Sequence, residues 1–264
     1  MNTIVALSDF SVASDNALRY AATLANKMGA DLALLHVYQI PVTMNDMPVM
    51  LISADEVKSN ADKRLLLNKE ALAAEYPGLA IYTESLLGDV VYEVQEWCTR
   101  QDPLAVVIGT HESTGTERLF FGSNAKGLVR NLTYPVFTIP QTYTNYTFSD
   151  AVLATDLSTI ETFPADKIVR LVQALNMRLQ VVHVDQRDPD QPLSIPSLAL
   201  LQPSYHWIQE EDVNKCLLKL IQEPEVDLLI VLPHEHNLIE RLFFNLHTEK
   251  LIHHTSKPIL TIKD

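Results

Sequence analysis

The chain is poor in several things, and each shortage excludes a class of protein. Of its 264 residues only two are cysteine, Cys98 and Cys216, too few for a disulfide scaffold or a cysteine-rich zinc module. No apolar run approaches the ~20 residues that a membrane helix requires. The opening MNTIVALSDF has no basic stretch ahead of its apolar residues, so a secretory signal is not expected and a cytoplasmic location is. No GxxxxGK[ST] phosphate loop occurs. Basic residues are scarce too: 20 Lys and Arg stand against 33 Asp and Glu, a net charge of −13. Cutting the chain at residue 145 leaves −6 and −7 on the two sides, so no basic block exists to neutralise nucleic-acid phosphates. Neither a nucleic acid nor a membrane is expected as a partner. What is present is ordinary globular material, 47% hydrophobic and 20% charged, in a chain long enough for one large domain or two of about 130 residues.

The chain contains itself twice. IVALSDFS (4–11) returns as AVLATDLS (151–158), and LALLHVY (32–38) as LQVVHVD (179–185), both 147 positions on, which sets His36 on His183. Later the spacing drops to 123: RLFFG (118–122) returns as RLFFN (241–245), and YPVFTIP (134–140) as KPILTIK (257–263). The second copy has therefore lost 24 residues after its second strand. In the first copy Ala54–Tyr76 reads as an amphipathic helix at that place. The second copy offers QRDPDQPLSIPS (186–197), whose prolines read as loop. The expected division is 1–141 and 150–264, joined by a polar and aromatic linker at 141–150, with one helix missing from the second unit.

Within the first copy strands and helices alternate. Strands are expected at Thr3–Leu7, Asp31–Tyr38, Ala80–Leu86, Leu104–Ile108 and Val136–Ile139. Helices are expected at Ser14–Met28, capped by Gly29, and at 54–76, Asp89–Thr99 and 122–131. Such alternation implies α/β architecture, a parallel sheet covered on both faces and wound in both directions. Ligands of open parallel sheets lie beyond the carboxyl ends of the strands. Two segments there carry suitable residues. One is Ser8-Asp9-Phe10-Ser11. The other runs from Gly109 to Gly122-Ser123, a glycine-bearing segment feeding a helix whose free amides and dipole favour an anion.

At ALSDFS, LLHVY, LLGDVVYEV and IGTHESTGTERLFFGSNAKGLVRNLTYPVFTIP the sequence resembles the universal stress protein family, as two tandem copies. ATP-binding members carry a glycine, two residues, a second glycine, nine residues, then Gly-Ser or Gly-Thr. Gly109 and Gly122-Ser123 match, whereas Glu112 stands where the middle glycine belongs. The resemblance implies two Rossmann-like domains of the adenine nucleotide alpha hydrolase-like type. It also implies ATP with Mg²⁺ as the ligand of the first, with Asp9 near the ribose or adenine beside Leu7 and Ser8. Val37 would line the adenine pocket, and Ile108 and Gly109 would touch base and ribose. His111 would lie in the phosphate loop, and Gly122, Ser123 and Asn124 at the phosphates. The second copy keeps Asp156 but replaces the loop positions by Leu232, Leu238, Asn245 and Leu246, which implies a structural role. The last strands, VFTIP and ILTIK, are expected to join the two copies as an internal pseudo-dimer, and the same resemblance allows a homodimer of whole chains.

Plainer readings stand beside these. Asp9 serves equally as the cap of the following helix. His36 and His183 read as satisfied core histidines, Cys98 and Cys216 as small buried hydrophobes. The histidines at 234, 236, 247, 253 and 254 lack a completing cysteine for zinc. Arg118-Leu-Phe-Phe reads as packing that leads into a helix, and Glu112 with Glu117 as solvated loop. Three functions remain: a nucleotide-binding stress-response regulator with at most slow ATP hydrolysis, a non-enzymatic interaction module, and a hydrolase on the same fold.

Overall fold

The structure, a computed structural model, describes residues 2–40, 53–113, 118–120, 123–155, 163–185, 194–209, 223, 225–232 and 257–263. The first half runs β1 (Thr3–Leu7), α1 (Val12–Met28), β2 (Asp31–Tyr38), α2 (Ala54–Glu75), β3 (Ile81–Leu87), α3 (Val90–Gln101), β4 (Ala105–Ser113), β5 (Arg118–Phe120), α4 (Ser123–Asn131) and β6 (Val136–Pro140). The second runs β7 (Asp150–Thr155), α5 (Ala165–Leu175), β8 (Arg178–Asp185), a 3-10 turn (Pro196–Leu201), β9 (Ser204–Gln209), β10 (Leu228–Val231) and β11 (Ile259–Thr261).

The described strands form one sheet in the order β3-β2-β1-β4-β6-β11-β10-β7-β8-β9, with β5 attached to β4 alone. Every pairing along that path is parallel except one. At the centre β6 and β11 run antiparallel, Phe137 opposite Leu260 and Thr138 opposite Ile259. The order on one side of that seam repeats on the other, as a duplicated unit joined at its closing strands would give. Strand residues alternate between two cores. Ile4, Leu32, Val107 and Phe137 face α1, α2 and α5, while Val5, Ala33, Val106 and Val136 face α3 and α4. Helices thus cover both faces, which explains the nearly unbroken apolar runs of the strands.

Local chemistry accounts for the element ends. Ser53 and Glu56 close a capping box on α2, and Asp89 accepts the amides of Val91 and Tyr92 to start α3. Gly29 (φ 59°) ends α1 in the left-handed conformation, and 147 positions on Asn176 (φ 53°) ends α5 likewise. Between β8 and β9 no α-helix occurs among the described residues. The 3-10 turn packs on α5 instead, burying Ile195 and Leu198. No helix among the described residues is long and apolar enough to cross a membrane.

One expectation is corrected and one is extended. Arg118-Leu-Phe, which precedes α4, is itself a strand: it is β5, antiparallel to the extended end of β4, with His111 opposite Phe120 and Glu112 opposite Leu119. Part of the segment expected as a glycine loop is therefore hydrogen-bonded hairpin. The polar linker is also a packed strap. Tyr143 and Phe148 are buried, and both rings pack on Tyr20 of α1.

Candidate functional site

The carboxyl ends of β1, β2 and β4 open onto a cavity of about 120 Å³. Its wall brings together Leu7, Ser8, Asp9, Val37, Ile108, Gly109 and Asn124, all expected from the sequence. Ser14, Leu35, Val90, Ala125 and Leu128 complete it and were not expected. Leu35 and Leu128 read only as core, while Ser14 and Val90 lie in first helical turns, where amides face the strand ends. Ser123 begins α4 but is exposed and off the wall. Gly122 lies outside the described residues, as do Gly115, Glu117, Asp156, Cys216 and the histidines of 234–254.

The segment after β1 is shaped by short hydrogen bonds. The Ser8 amide donates to Leu35 O (2.8 Å), extending the ladder one step beyond the strand. Asp9 Oδ1 accepts the Ser11 amide (3.0 Å) and the Ser11 hydroxyl. Ser11, not Asp9, caps α1, its Oγ accepting the Ser14 amide at 3.2 Å. The reading of Asp9 as the helix cap is thereby corrected. Between them Phe10 takes φ 63°, a left-handed conformation that bulky residues rarely adopt. Its ring lies 4.3 Å from that of His36 and beneath the Arg64 guanidinium (4.1 Å). His36 Nδ1 donates to Ser8 O at 2.7 Å, since a carbonyl can only accept. His183 repeats the arrangement with Thr155 O at 2.9 Å, its ring against Trp207. His36 therefore braces the turn after β1, and His183 holds the last residue of β7.

The second oxygen of Asp9, Oδ2, faces His111 Nε2 across 3.4 Å. Burial raises the Asp9 pKa, but the Ser11 hydroxyl and amide, then Ser14 and His111, outweigh it and hold the carboxyl below its ordinary value. Asp9 is thus an ionised, exposed acceptor at the mouth of an aliphatic cleft. Gly109 also lines the cleft, and an added Cβ there would stand 2.4 Å from Ala13 O. Among the described residues no group of three His, Cys, Asp or Glu side chains is placed to hold a metal ion. Cys98 lies in the core of the α3 face, and burial raises its thiol to a pKa of about 12.

Comparison with known proteins resolves the kinship. The model of the universal stress protein family matches residues 1–140. The chain belongs to the universal stress protein family. A universal stress protein from Methanocaldococcus jannaschii is 28% identical over 140 residues, 52% of this chain and 80% of that protein. The solved universal stress protein from Archaeoglobus fulgidus superposes over 99% of this chain and 98% of its own, with TM-score 0.73 at 18% identity. A functionally unknown protein from Pseudomonas aeruginosa superposes over 100% and 92%, with TM-score 0.56 at 10% identity. At such identities these two likenesses concern the fold: both halves of this universal stress protein share it with single solved chains over their full length.

Proposed function

We propose that the cleft beyond β1 and β4 binds an adenine nucleotide, and that the protein acts as a nucleotide-responsive stress regulator rather than as a fast hydrolase. One observation carries this reading: seven residues picked from separate motifs converge on one cavity at the strand ends. Each part of the wall suits part of the ligand. Val37, Ile108 and Val90 form an apolar slot for a flat base. Asp9, held ionised, accepts hydrogen bonds from ribose hydroxyls. The first turn of α4, with Asn124, offers unpaired amides to phosphate. Mg²⁺ would arrive on the phosphates, and its role would be to neutralise their charge. We further propose the division 1–141 and 150–264, with binding confined to the first unit.

A second reading, a two-copy interaction module without nucleotide, has one observation in its favour. Gly109 has a packing reason of its own against Ala13. Calorimetric titration with ATP and Mg²⁺ separates the two. The first reading expects saturable binding with Kd below about 1 mM, lost on Ile108→Arg. A flat titration of folded protein leaves the module. Glu112→Gly should tighten binding, because it restores the family's middle glycine.

A further inference from the structure

A larger cleft, of about 380 Å³, lies at the opposite end of the strands, between α5 and the amino ends of β4 and β6. Its size falls within the range of small-molecule sites. The repeat relates it to a second, filled cleft. Lys167, Arg170 and Leu171 on its α5 wall stand 147 positions after Tyr20, Thr23 and Leu24 of α1. Leu104 on its floor stands 123 before Asp227. The counterpart cleft, beside Tyr20 and Asp227, is filled by the strap. The rings of Tyr143, Tyr146 and Phe148 lie 6.2, 6.3 and 5.1 Å from that of Tyr20. Asp227 accepts the Thr147 hydroxyl and the Ser149 amide, both at 2.8 Å. Among the described residues, the strap's aromatic rings enter only the counterpart of these two related clefts.

The open cleft differs from the filled one in charge. Lys167 Nζ donates to Thr133 O (3.3 Å) and Lys263 O (2.6 Å), two of its three protons. Arg170 is exposed, with one terminal nitrogen donating to Asn2 Oδ1 (3.1 Å). The wall also holds one carboxylate, Asp102; burial and then Asp102 push the Tyr134 hydroxyl above its ordinary pKa. Two cations thus face one carboxylate, in a protein of net charge −13.

We infer that this cleft binds a compact aromatic anion, its ring lying where the strap rings lie in the counterpart and its acid group on Arg170 and Lys167. The probe is 2-naphthoate, titrated into the full chain and followed by calorimetry, with uncharged 2-naphthamide alongside. Saturable binding of the carboxylate is expected, at least fivefold tighter than the amide. Arg170→Glu, at an exposed site, should weaken it at least fivefold. Thr133→Trp, which plugs the cleft while leaving the Thr133 carbonyl to Lys167, should abolish it. Absence of saturable binding overturns the inference. Equal binding of acid and amide does so too, as does wild-type affinity in both variants. Competition by ATP would place the probe in the other cleft and overturns it as well.

Discussion

A Cβ on Gly109 would lie 2.4 Å from the carbonyl oxygen of Ala13 and 2.6 Å from its carbonyl carbon. The obstacle is helix backbone, which cannot rotate away as a side chain can. Glycine here lets α1 lie close against β4, and that approach narrows the cleft between Asp9 and Ile108.

Gly109→Ala should therefore destabilise the protein by about 1–3 kcal/mol, the usual range for overpacking. Gly127→Ala is the comparison: its Cβ meets the side-chain Val91 Cγ2 at 2.6 Å, which can turn, so a smaller loss is expected. Calorimetric melting of both variants checks the order. A Gly109→Ala melting temperature equal to wild type would show that α1 moves without penalty.

Asp9 should titrate below 3.8, its reference value. Because the folded carboxyl is the stronger acid, its contribution to stability is complete above the unfolded pKa. It fades as pH falls through the folded one. Carbon-13 NMR of the Asp9 carboxyl gives the midpoint directly, and a value at or above 3.8 contradicts the hydrogen-bond account. Ser11→Ala removes one donor to Asp9 and the α1 cap together, so the midpoint should rise and the helix weaken by about 1 kcal/mol.

Much of this arrangement was legible in the residues, for identifiable reasons. Apolar runs marked the strands, and β2 fell on Asp31–Tyr38 as read. The repeated VFTIP and ILTIK foretold two equivalent strands, which meet as β6 and β11. Other features depended on contacts far apart in the chain. Asp9 and Ser11 are both good caps, and the choice fell to Ser11 because Phe10 turns left-handed to reach His36 and Arg64. Nothing local marks Arg118–Phe120 as a strand, since its partner is the overhang of β4. The strap reads as loop because its aromatic rings find their partner, Tyr20, more than a hundred residues upstream. The larger cleft requires both units in place before it exists.

Cys98 should resist thiol reagents in the folded protein. Burial raises its pKa from 9.0 to about 12, so the reactive thiolate is scarce near neutral pH. Between those values the unfolded chain has lost a proton that the folded one keeps, so stability falls as pH rises through that window. Denaturant unfolding between pH 9 and 10 should show a shallower decline in Cys98→Ala than in wild type. Labelling of native protein at position 98 as fast as of unfolded protein would refute the burial.

Asn16 ties the strap to the helix that borders the candidate nucleotide cleft. Its Nδ2 donates to the carbonyls of Pro140 and Tyr143, both at 2.8 Å, and its Oδ1 accepts the Tyr146 hydroxyl. Asn16→Ala leaves two carbonyls and a hydroxyl without this partner in a buried setting, each unmet group costing about 1–3 kcal/mol. A loss of about 2–4 kcal/mol in urea unfolding is expected, since the strap can recover part of its bonding from water. Tyr146→Phe removes one bond and should lose less. The strap leaves β6 alongside β4: the Gln141 amide donates to Thr110 O at 3.1 Å, next to Gly109. A ligand that orders the Gly109 wall should therefore protect the Gln141 and Tyr143 amides from hydrogen exchange. Asn16→Ala should abolish that protection while leaving protection within β1 unchanged, which separates a loosened strap from a general loss of structure.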